Sequence, residues 1–176
     1  MDFLQIKFFI VGILIGSGYL IGEYVQKVFV NRHKQINELI RVLELIRIEI
    51  SFSMYTLEEI FSHMISKTTS DYKNFFFKMQ RSLRREDGKS LDEILNENIN
   101  ILKTDTYLKE EELMEFKKLL LSLGSSDVNS QQRMIDLTIE NLKKRTGELK
   151  EDVYKKGNLY KKLITFSVIA ICIILY

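Results

Sequence analysis

The chain contains no proline, and its glycines are distributed very unevenly. Four of the eight glycines lie between residues 12 and 22, which leaves only four for the rest of the chain. Sheets whose strands are joined by tight turns depend on Pro, Gly and Asn-Gly pairs at those turns. The sequence therefore predicts an all-α protein, and a length of 176 residues suits one domain.

Apolar residues in the middle of the chain recur at three- and four-residue steps, the spacing of one helix face. Thr56-x-x-Glu59 and Ser90-x-x-Glu93 have the pattern of a capping box, in which both side chains bind backbone N–H groups at a helix start. Ser70 or Asp71 is the predicted cap of the helix between them. The segments between turn-forming stretches number six, and we predict a compact six-helix bundle.

Both ends of the chain are strongly apolar. Residues 8–22 and 163–176 are runs of 15 and 14 residues without a charge, whereas a straight span of the hydrocarbon core needs about 20 residues. The first run lengthens if Lys7 and Glu23 reach toward water, and the second spans if the bilayer thins locally. We predict membrane-anchoring segments at 1–24 and 163–176 around a helical domain at 25–162.

A cleaved signal peptide is the alternative for the first run, but an acid precedes that run and no small-residue cleavage pattern follows it. The cations next to the two apolar runs set the expected orientation, because positive residues favour the cytoplasmic side. Both clusters flank the middle of the chain, which predicts an integral membrane protein with a cytoplasmic main domain. The clusters are Lys27, Arg32 and Lys34, and Lys155, Lys156, Lys161 and Lys162.

The first apolar run carries two pairs of glycines at four-residue spacing, Gly12 with Gly16 and Gly18 with Gly22. Small residues at this spacing let helices approach closely in lipid. We therefore predict helix packing at these positions, which includes the possibility of self-association.

The chain lacks the motifs of common catalytic sites. It has no phosphate-binding loop, nucleophile elbow or zinc-protease motif, and its histidines, His33 and His63, lie on different predicted helices. The 26 basic residues are nearly balanced by 24 acidic ones, unlike a nucleic-acid binder. We predict a non-enzymatic protein without cofactor, metal or nucleic-acid partner. The acids at 110–112 are expected at a solvated helix start, and the basic residues at 81–85 on an exposed face or in contact with lipid headgroups.

One polar stretch, SLGSSDVNSQQRM at residues 122–134, interrupts the helical pattern. Gly124 follows an apolar helix at the position where a left-handed C-cap residue is favoured. Ser126 or Asp127 is the predicted cap of the next helix. Backbone donors at a helix start can also bind an anion, but Asp127 already supplies a negative charge there. A connector between two helices is therefore the favoured interpretation.

The motif L-G-S-S-D-x-x-x-Q, which includes Gly124, Ser126, Asp127 and Gln131, resembles the signature of the stage III sporulation protein AB family. The block LELIRIEISFSMYTLEEIF at residues 43–61 is also similar to a conserved run of that family. The plan of an anchor at each end and a helical domain between them agrees as well.

The resemblance implies a function that the residues alone do not. The family's cytoplasmic domain is similar to the helical bundles of inner-membrane platform proteins in type II secretion and type IV pilus machines, which meet a secretion ATPase. The resemblance therefore implies that this chain is an adaptor in the mother-cell membrane around the forespore. Its expected partners are stage III sporulation protein AA, an ATPase, and other membrane components of the transenvelope channel. Asp127 and Gln131 would then hold the hairpin between the last two helices of the bundle. The hairpin and the turn at Asp87, Gly88 and Lys89 would face the partner.

Two other classes of protein remain open at this stage. A membrane-anchored stalk or scaffold subunit without ATPase contact would form an elongated dimeric coiled coil, which the broad apolar stripes oppose. A membrane-bound sensor would need a domain on the far side of the membrane, for which the predicted topology leaves no sequence.

Overall fold

The computed structural model describes the backbone of residues 3–52, 55–85, 88–123 and 127–175, and the side chains chiefly between residues 12 and 149. This part of the chain is helical and contains no β-strand, so the predicted all-α class is confirmed. The described residues form six helices: α1 (Phe3–Phe52), α2 (Leu57–Lys67), α3 (Ser70–Leu83), α4 (Leu91–Asp105), α5 (Glu110–Leu123) and α6 (Val128–Leu175).

The chain divides into two units, Lys34–Thr146 and a second unit made of Met1–His33 with Gly147–Tyr176. The Lys34–Thr146 unit is the bundle, and it contains α2 to α5 together with parts of α1 and α6. Within it, α2 packs against α3, α3 against α4, and α4 against α5.

Contacts at one end of the bundle show that α1, α3 and α5 finish where α2, α4 and α6 begin. Gln132, in the first turns of α6, donates a hydrogen bond to the Ser51 hydroxyl near the end of α1, with 2.8 Å between the two atoms. Arg84, just after α3, lies 2.6 Å from a carboxylate oxygen of Glu58 at the start of α2. Thr56, Ser90 and Asp127 precede the three helices that begin here. We call this end of the bundle, marked by those three residues, the capped end.

The opposite end is held by a side chain from α1. Gln35 donates to the Asp71 carboxylate at the start of α3 (3.2 Å), and its backbone carbonyl accepts from the Tyr72 hydroxyl (3.0 Å). Its side-chain oxygen accepts from the backbone N–H of Tyr107, between α4 and α5. The bundle is therefore up-and-down: neighbouring helices alternate in direction.

Aromatic rings fill the centre of the bundle. Phe61, Phe75, Phe76 and Phe116 come from three different helices, and each is completely buried. The Phe75 and Phe116 ring centroids lie 5.9 Å apart, and those of Phe61 and Phe76 lie 5.6 Å apart. Aliphatic residues of α1 and α6 complete the core, among them Ile36, Leu39, Leu43, Ile46, Ile135 and Leu142.

The predicted capping boxes are confirmed at α2 and α4. Thr56 and Glu59 bind each other's backbone N–H groups, and Ser90 and Glu93 do the same. The predicted cap of α3 is wrong by one or two residues, because Thr69 holds the N-cap position and makes no side-chain cap bond. Asp71 lies within the first turn, where its carboxylate accepts the hydrogen bond from Gln35 of α1. The Asp71 carboxylate thus binds a side chain of another helix instead of the backbone at the start of its own helix.

The predicted membrane-anchoring segments find no support in the described residues: none of the helices there has a stretch long and apolar enough to cross a membrane. The side chains of residues 3–11 and of most of residues 150–175 lie outside the description. A methyl group added at Gly12 or Gly16 would meet no other described atom within 4 Å. Close helix packing at the glycine pairs stays a prediction.

Candidate functional site

Asp127 caps α6 at the capped end. Its carboxylate accepts a hydrogen bond from the backbone N–H of Ser130 at 3.1 Å, and its backbone carbonyl accepts from the N–H of Gln131 at 3.0 Å. Hydrogen bonds from the side chain and backbone of Ser130 hold the pKa of Asp127 below its ordinary value of 3.8. Its carboxylate therefore stays ionised at neutral pH, with its charge at the positive end of the helix dipole. Gly124 and Ser126, predicted beside it, lie outside the described residues.

Gln131 joins the end of α5 to the start of α6. It is buried, and its side-chain amide donates to the backbone carbonyl of Leu123 at 2.8 Å. The last carbonyls of a helix have no partner within that helix, so Gln131 satisfies one of them. Asp127 and Gln131 thus occupy the positions expected of residues that hold this hairpin.

Gln131→Leu is expected to lower the free energy of unfolding by about 1–3 kcal/mol, because the Leu123 carbonyl would lose its partner in a buried position. Urea unfolding followed by circular dichroism measures the change. Gln132→Leu is the matched control, since Gln132 is less buried and the Ser51 hydroxyl that it binds is exposed and can bind water instead. Equal stability of the Gln131→Leu variant and the wild type would contradict this role.

The second predicted segment, the turn before α4, lies at the same end of the bundle. Gly88 adopts a φ of +74°, a left-handed conformation in which a Cβ atom is strained. Lys89 forms an ion pair with Glu97 of α4, and Asp87 lies outside the described residues. The bundle topology therefore places both segments predicted to contact a partner at the capped end, about 40 residues apart in sequence.

The three helix starts at this end each carry an acid of their own. Hydrogen bonds from Thr56, first from its backbone N–H, lower the pKa of Glu59 below 4.5, and Ser90 has the same effect on Glu93. Together with Asp127, these carboxylates occupy the positions that a phosphate would take at a helix start. The geometry favours the connector over an anion-binding loop.

Sequence reasoning missed a buried carboxylate on α1. Glu49 is buried, accepts a hydrogen bond from Lys67 of α2, and lies 2.9 Å from Nδ1 of His63. The Tyr55 ring meets His63 edge-on, with the two ring centroids 4.9 Å apart. Burial of Glu49 opposes its ionisation, but the hydrogen bonds from Lys67 and His63 outweigh burial and hold its pKa below 4.5. Its burial could have been inferred from the sequence, because Glu49 lies within the apolar stripe of α1.

The contribution of Glu49 to stability is expected to fall in acid. Because its pKa is lower in the folded state, the stabilisation is complete above about pH 4.5 and is lost as pH falls through the folded-state pKa. Glu49→Gln should cost about 1–2 kcal/mol at pH 7, less than a fully buried pair, since Lys67 and His63 are partly exposed. The difference from wild type, measured by urea unfolding, should shrink as the pH falls below about 4.5. Glu140→Gln, at an exposed site, is the control; a difference independent of pH would contradict the assignment.

The sequence predicted that the acids at 110–112 all lie in solvent, and this is wrong for one of them. Glu112 is completely buried, and its carboxylate accepts from the backbone N–H of Lys109, just before α5. Arg145 of α6 lies 3.3 Å from a carboxylate oxygen of Glu111, 3.9 Å from one of Glu112 and 3.4 Å from one of Glu115. The cluster joins α5 to α6. It holds no metal-binding arrangement of three or more His, Cys, Asp or Glu residues, nor does any other described part of the chain.

The fold is that of an all-helical bundle protein, and its candidate site is one end of the bundle, where the described residues supply caps and ion pairs. The chain belongs to the stage III sporulation protein AB family, which matches residues 7–176. The resemblance inferred from the motifs is thereby confirmed, and the chain is a sporulation protein by family. Comparison with curated proteins and with solved structures finds no match.

Proposed function

We propose that this protein is a non-enzymatic adaptor, or platform subunit, of a transenvelope channel that functions in sporulation. Its helical bundle docks a cytoplasmic secretion-type ATPase, stage III sporulation protein AA, and its other partners are membrane components of the same channel. The main support is the family match over residues 7–176 together with the bundle topology.

The observation that carries the docking proposal is the gathering of two separate segments at the capped end. The turn at Gly88 and Lys89 and the hairpin at Asp127 and Gln131 come from different parts of the chain, yet both lie where α2, α4 and α6 begin. Contact with a partner at this end would engage both segments at once. The packing of all six helices in Lys34–Thr146 favours this reading over a two-stranded stalk.

The same proposal includes a membrane location. The apolar runs at residues 8–22 and 163–176 would anchor the chain in the mother-cell membrane around the forespore, with the bundle in the cytoplasm. Gly12, Gly16, Gly18 and Gly22 would pack against other membrane helices. Extraction of cell membranes with alkaline carbonate tests this part: the chain is expected to stay in the pellet, and its release into the supernatant would reject the anchors.

Co-purification of the full-length chain with the ATPase tests the docking. We compare wild type with Asp127→Ser, which keeps a good helix cap, and Asp127→Arg, which removes the cap and reverses the charge. Wild type is expected to bind. Binding by Asp127→Ser together with loss of helicity and of binding by Asp127→Arg would show that Asp127 acts only as a cap. Absence of wild-type binding would reject the adaptor and favour a scaffold without ATPase contact.

A further inference from the structure

The outer face of α3 carries a concentration of positive charge. Residues 72–85 contain five basic residues and no acid. Lys73, Phe77 and Arg81 follow one another at four-residue steps along the exposed side of the helix, with Lys78 beside them and Arg85 just beyond the helix end. We call these five residues the basic face of α3. The cations at 73–85 span about 18 Å of helix.

The four cations of the basic face form no ion pair with the described residues. Two acids from neighbouring helices bind other residues of this segment: Glu58 pairs with Arg84 at 2.6 Å, and Asp105 accepts from the Asn74 amide at 3.3 Å. The basic residues at 81–85 are exposed, as one of the two predictions for them had it. The basic face also carries an aromatic residue, because 50% of Phe77 is exposed. Its neighbours Phe75 and Phe76 are completely buried, so the ring at position 77 is not needed for the core.

The residues first predicted to contact the partner are occupied elsewhere. Asp127 caps α6, Gln131 binds the Leu123 carbonyl, and Lys89 is paired with Glu97. The basic face runs toward the same capped end, because α3 finishes there beside Glu58. Arg81 and Arg85 therefore bring positive charge without an ion pair among the described residues to this end.

We propose that the basic face of α3 is the docking surface for an acidic protein partner that also has an apolar recess for Phe77. Arg81 and Arg85 can each bind a carboxylate through two parallel hydrogen bonds, and arginine and aromatic residues are enriched at the centres of protein interfaces. This inference rests on the proposed function, under which the acidic surface belongs to the ATPase.

A second copy of the chain fits this face poorly. Every acid on α4 and α5 already has a partner: Asp92, Glu97, Glu110, Glu111, Glu112 and Glu115 lie near cations, Glu93 completes a capping box and Asp105 binds Asn74. Those acids would have to leave their partners before they could bind the basic face of another copy. Glu140 of α6 is exposed and forms no ion pair with the described residues, but one carboxylate does not match four cations. Charge complementarity therefore favours a different, acidic protein.

The test is a binding titration between the full-length chain, in a neutral detergent without lipid, and the ATPase. The variants are Lys78→Glu/Arg81→Glu and, separately, Phe77→Ala. The matched control is Lys118→Glu/Lys144→Glu, which makes the same change of net charge at exposed positions of α5 and α6. Circular dichroism and thermal melting check that all variants are folded.

We expect the double reversal and Phe77→Ala each to raise the Kd by about tenfold or more, the control to stay within about twofold, and added salt to weaken wild-type binding. Wild-type affinity in the Lys78→Glu/Arg81→Glu variant would overturn this inference and leave the proposed function intact, with an anionic lipid surface as the next occupant to test. Absence of binding by the wild type would overturn both.

Discussion

Phe75→Ala is expected to lower the free energy of unfolding by about 3–5 kcal/mol, the range for truncation of a completely buried aromatic ring. The Phe75 ring lies between α3 and α5, with ring centroids 5.3 Å from Phe76 and 5.9 Å from Phe116. Its removal would leave a cavity that rings from two helices now line, and close packing allows only partial collapse around it. Urea unfolding of the full-length chain measures the loss.

The sequence supplies its own control two residues away. Phe77→Ala makes the same chemical change at a position that is 50% exposed, and we expect it to cost less than about 1 kcal/mol. A similar loss for both variants would contradict the assignment of Phe75 to the core and Phe77 to the surface. The same comparison shows that the binding test with Phe77→Ala uses a folded protein.

Arg145→Met is the second change with a large expected effect, about 2–4 kcal/mol of unfolding free energy. Arg145 is the cation shared by Glu111, Glu112 and Glu115, and Glu112 is completely buried. Methionine keeps much of the packing volume but removes the positive charge beside the buried carboxylate, which keeps its hydrogen bond from the Lys109 N–H. The expected loss of unfolding free energy is smaller than for a fully buried ion pair because the Arg145 side chain is 35% exposed.

A double-mutant cycle separates the lost charge pair from lost packing. Glu112→Gln removes the negative charge and keeps an oxygen that can accept from Lys109. We expect Arg145→Met/Glu112→Gln to recover at least 1 kcal/mol, about half of the smallest expected loss, relative to Arg145→Met alone. No recovery would show that Arg145 stabilises the bundle through packing or through the exposed Glu111.

Local chemistry was sufficient to predict where several helices begin. Thr56 with Glu59 and Ser90 with Glu93 cap α2 and α4 as expected, since a capping box needs only residues that are close in sequence. The same logic gave Asp127 at the start of α6. It failed at α3, where the Asp71 side chain binds Gln35, 36 residues away. Patterns of residues that are close in sequence cannot predict a hydrogen bond to another helix.

The ion pairs show a similar limit. Glu38 and Arg41 pair along α1 at 3.2 Å, as their spacing predicts. Glu44 and Arg47 have the same spacing, but Arg47 pairs with Asp136 at 2.7 Å, and Glu44 lies 3.5 Å from Lys143. Both contacts join α1 to α6, and the register of two helices that are about 90 residues apart depends on the packed core.

The structure gives the residues of the predicted site a structural role. The sequence singled out Asp127 and Gln131, and the structure shows both engaged in holding helix ends. The basic face of α3 runs to the same end, and the sequence had described only its residues 81–85 as an exposed basic face. Recognising its aromatic residue required the burial of Phe75 and Phe76, because three consecutive phenylalanines do not reveal which one faces solvent.

The docking of the ATPase is tested most directly by photo-crosslinking in sporulating cells. A benzophenone derivative of phenylalanine replaces Phe77 on the basic face or, as a control, Met114, which is 44% exposed on α5. Both variants must support spore formation. The proposal predicts a light-dependent adduct with the ATPase from position 77 and none from position 114. An adduct from position 114 alone, or from neither position, would contradict docking through the basic face of α3.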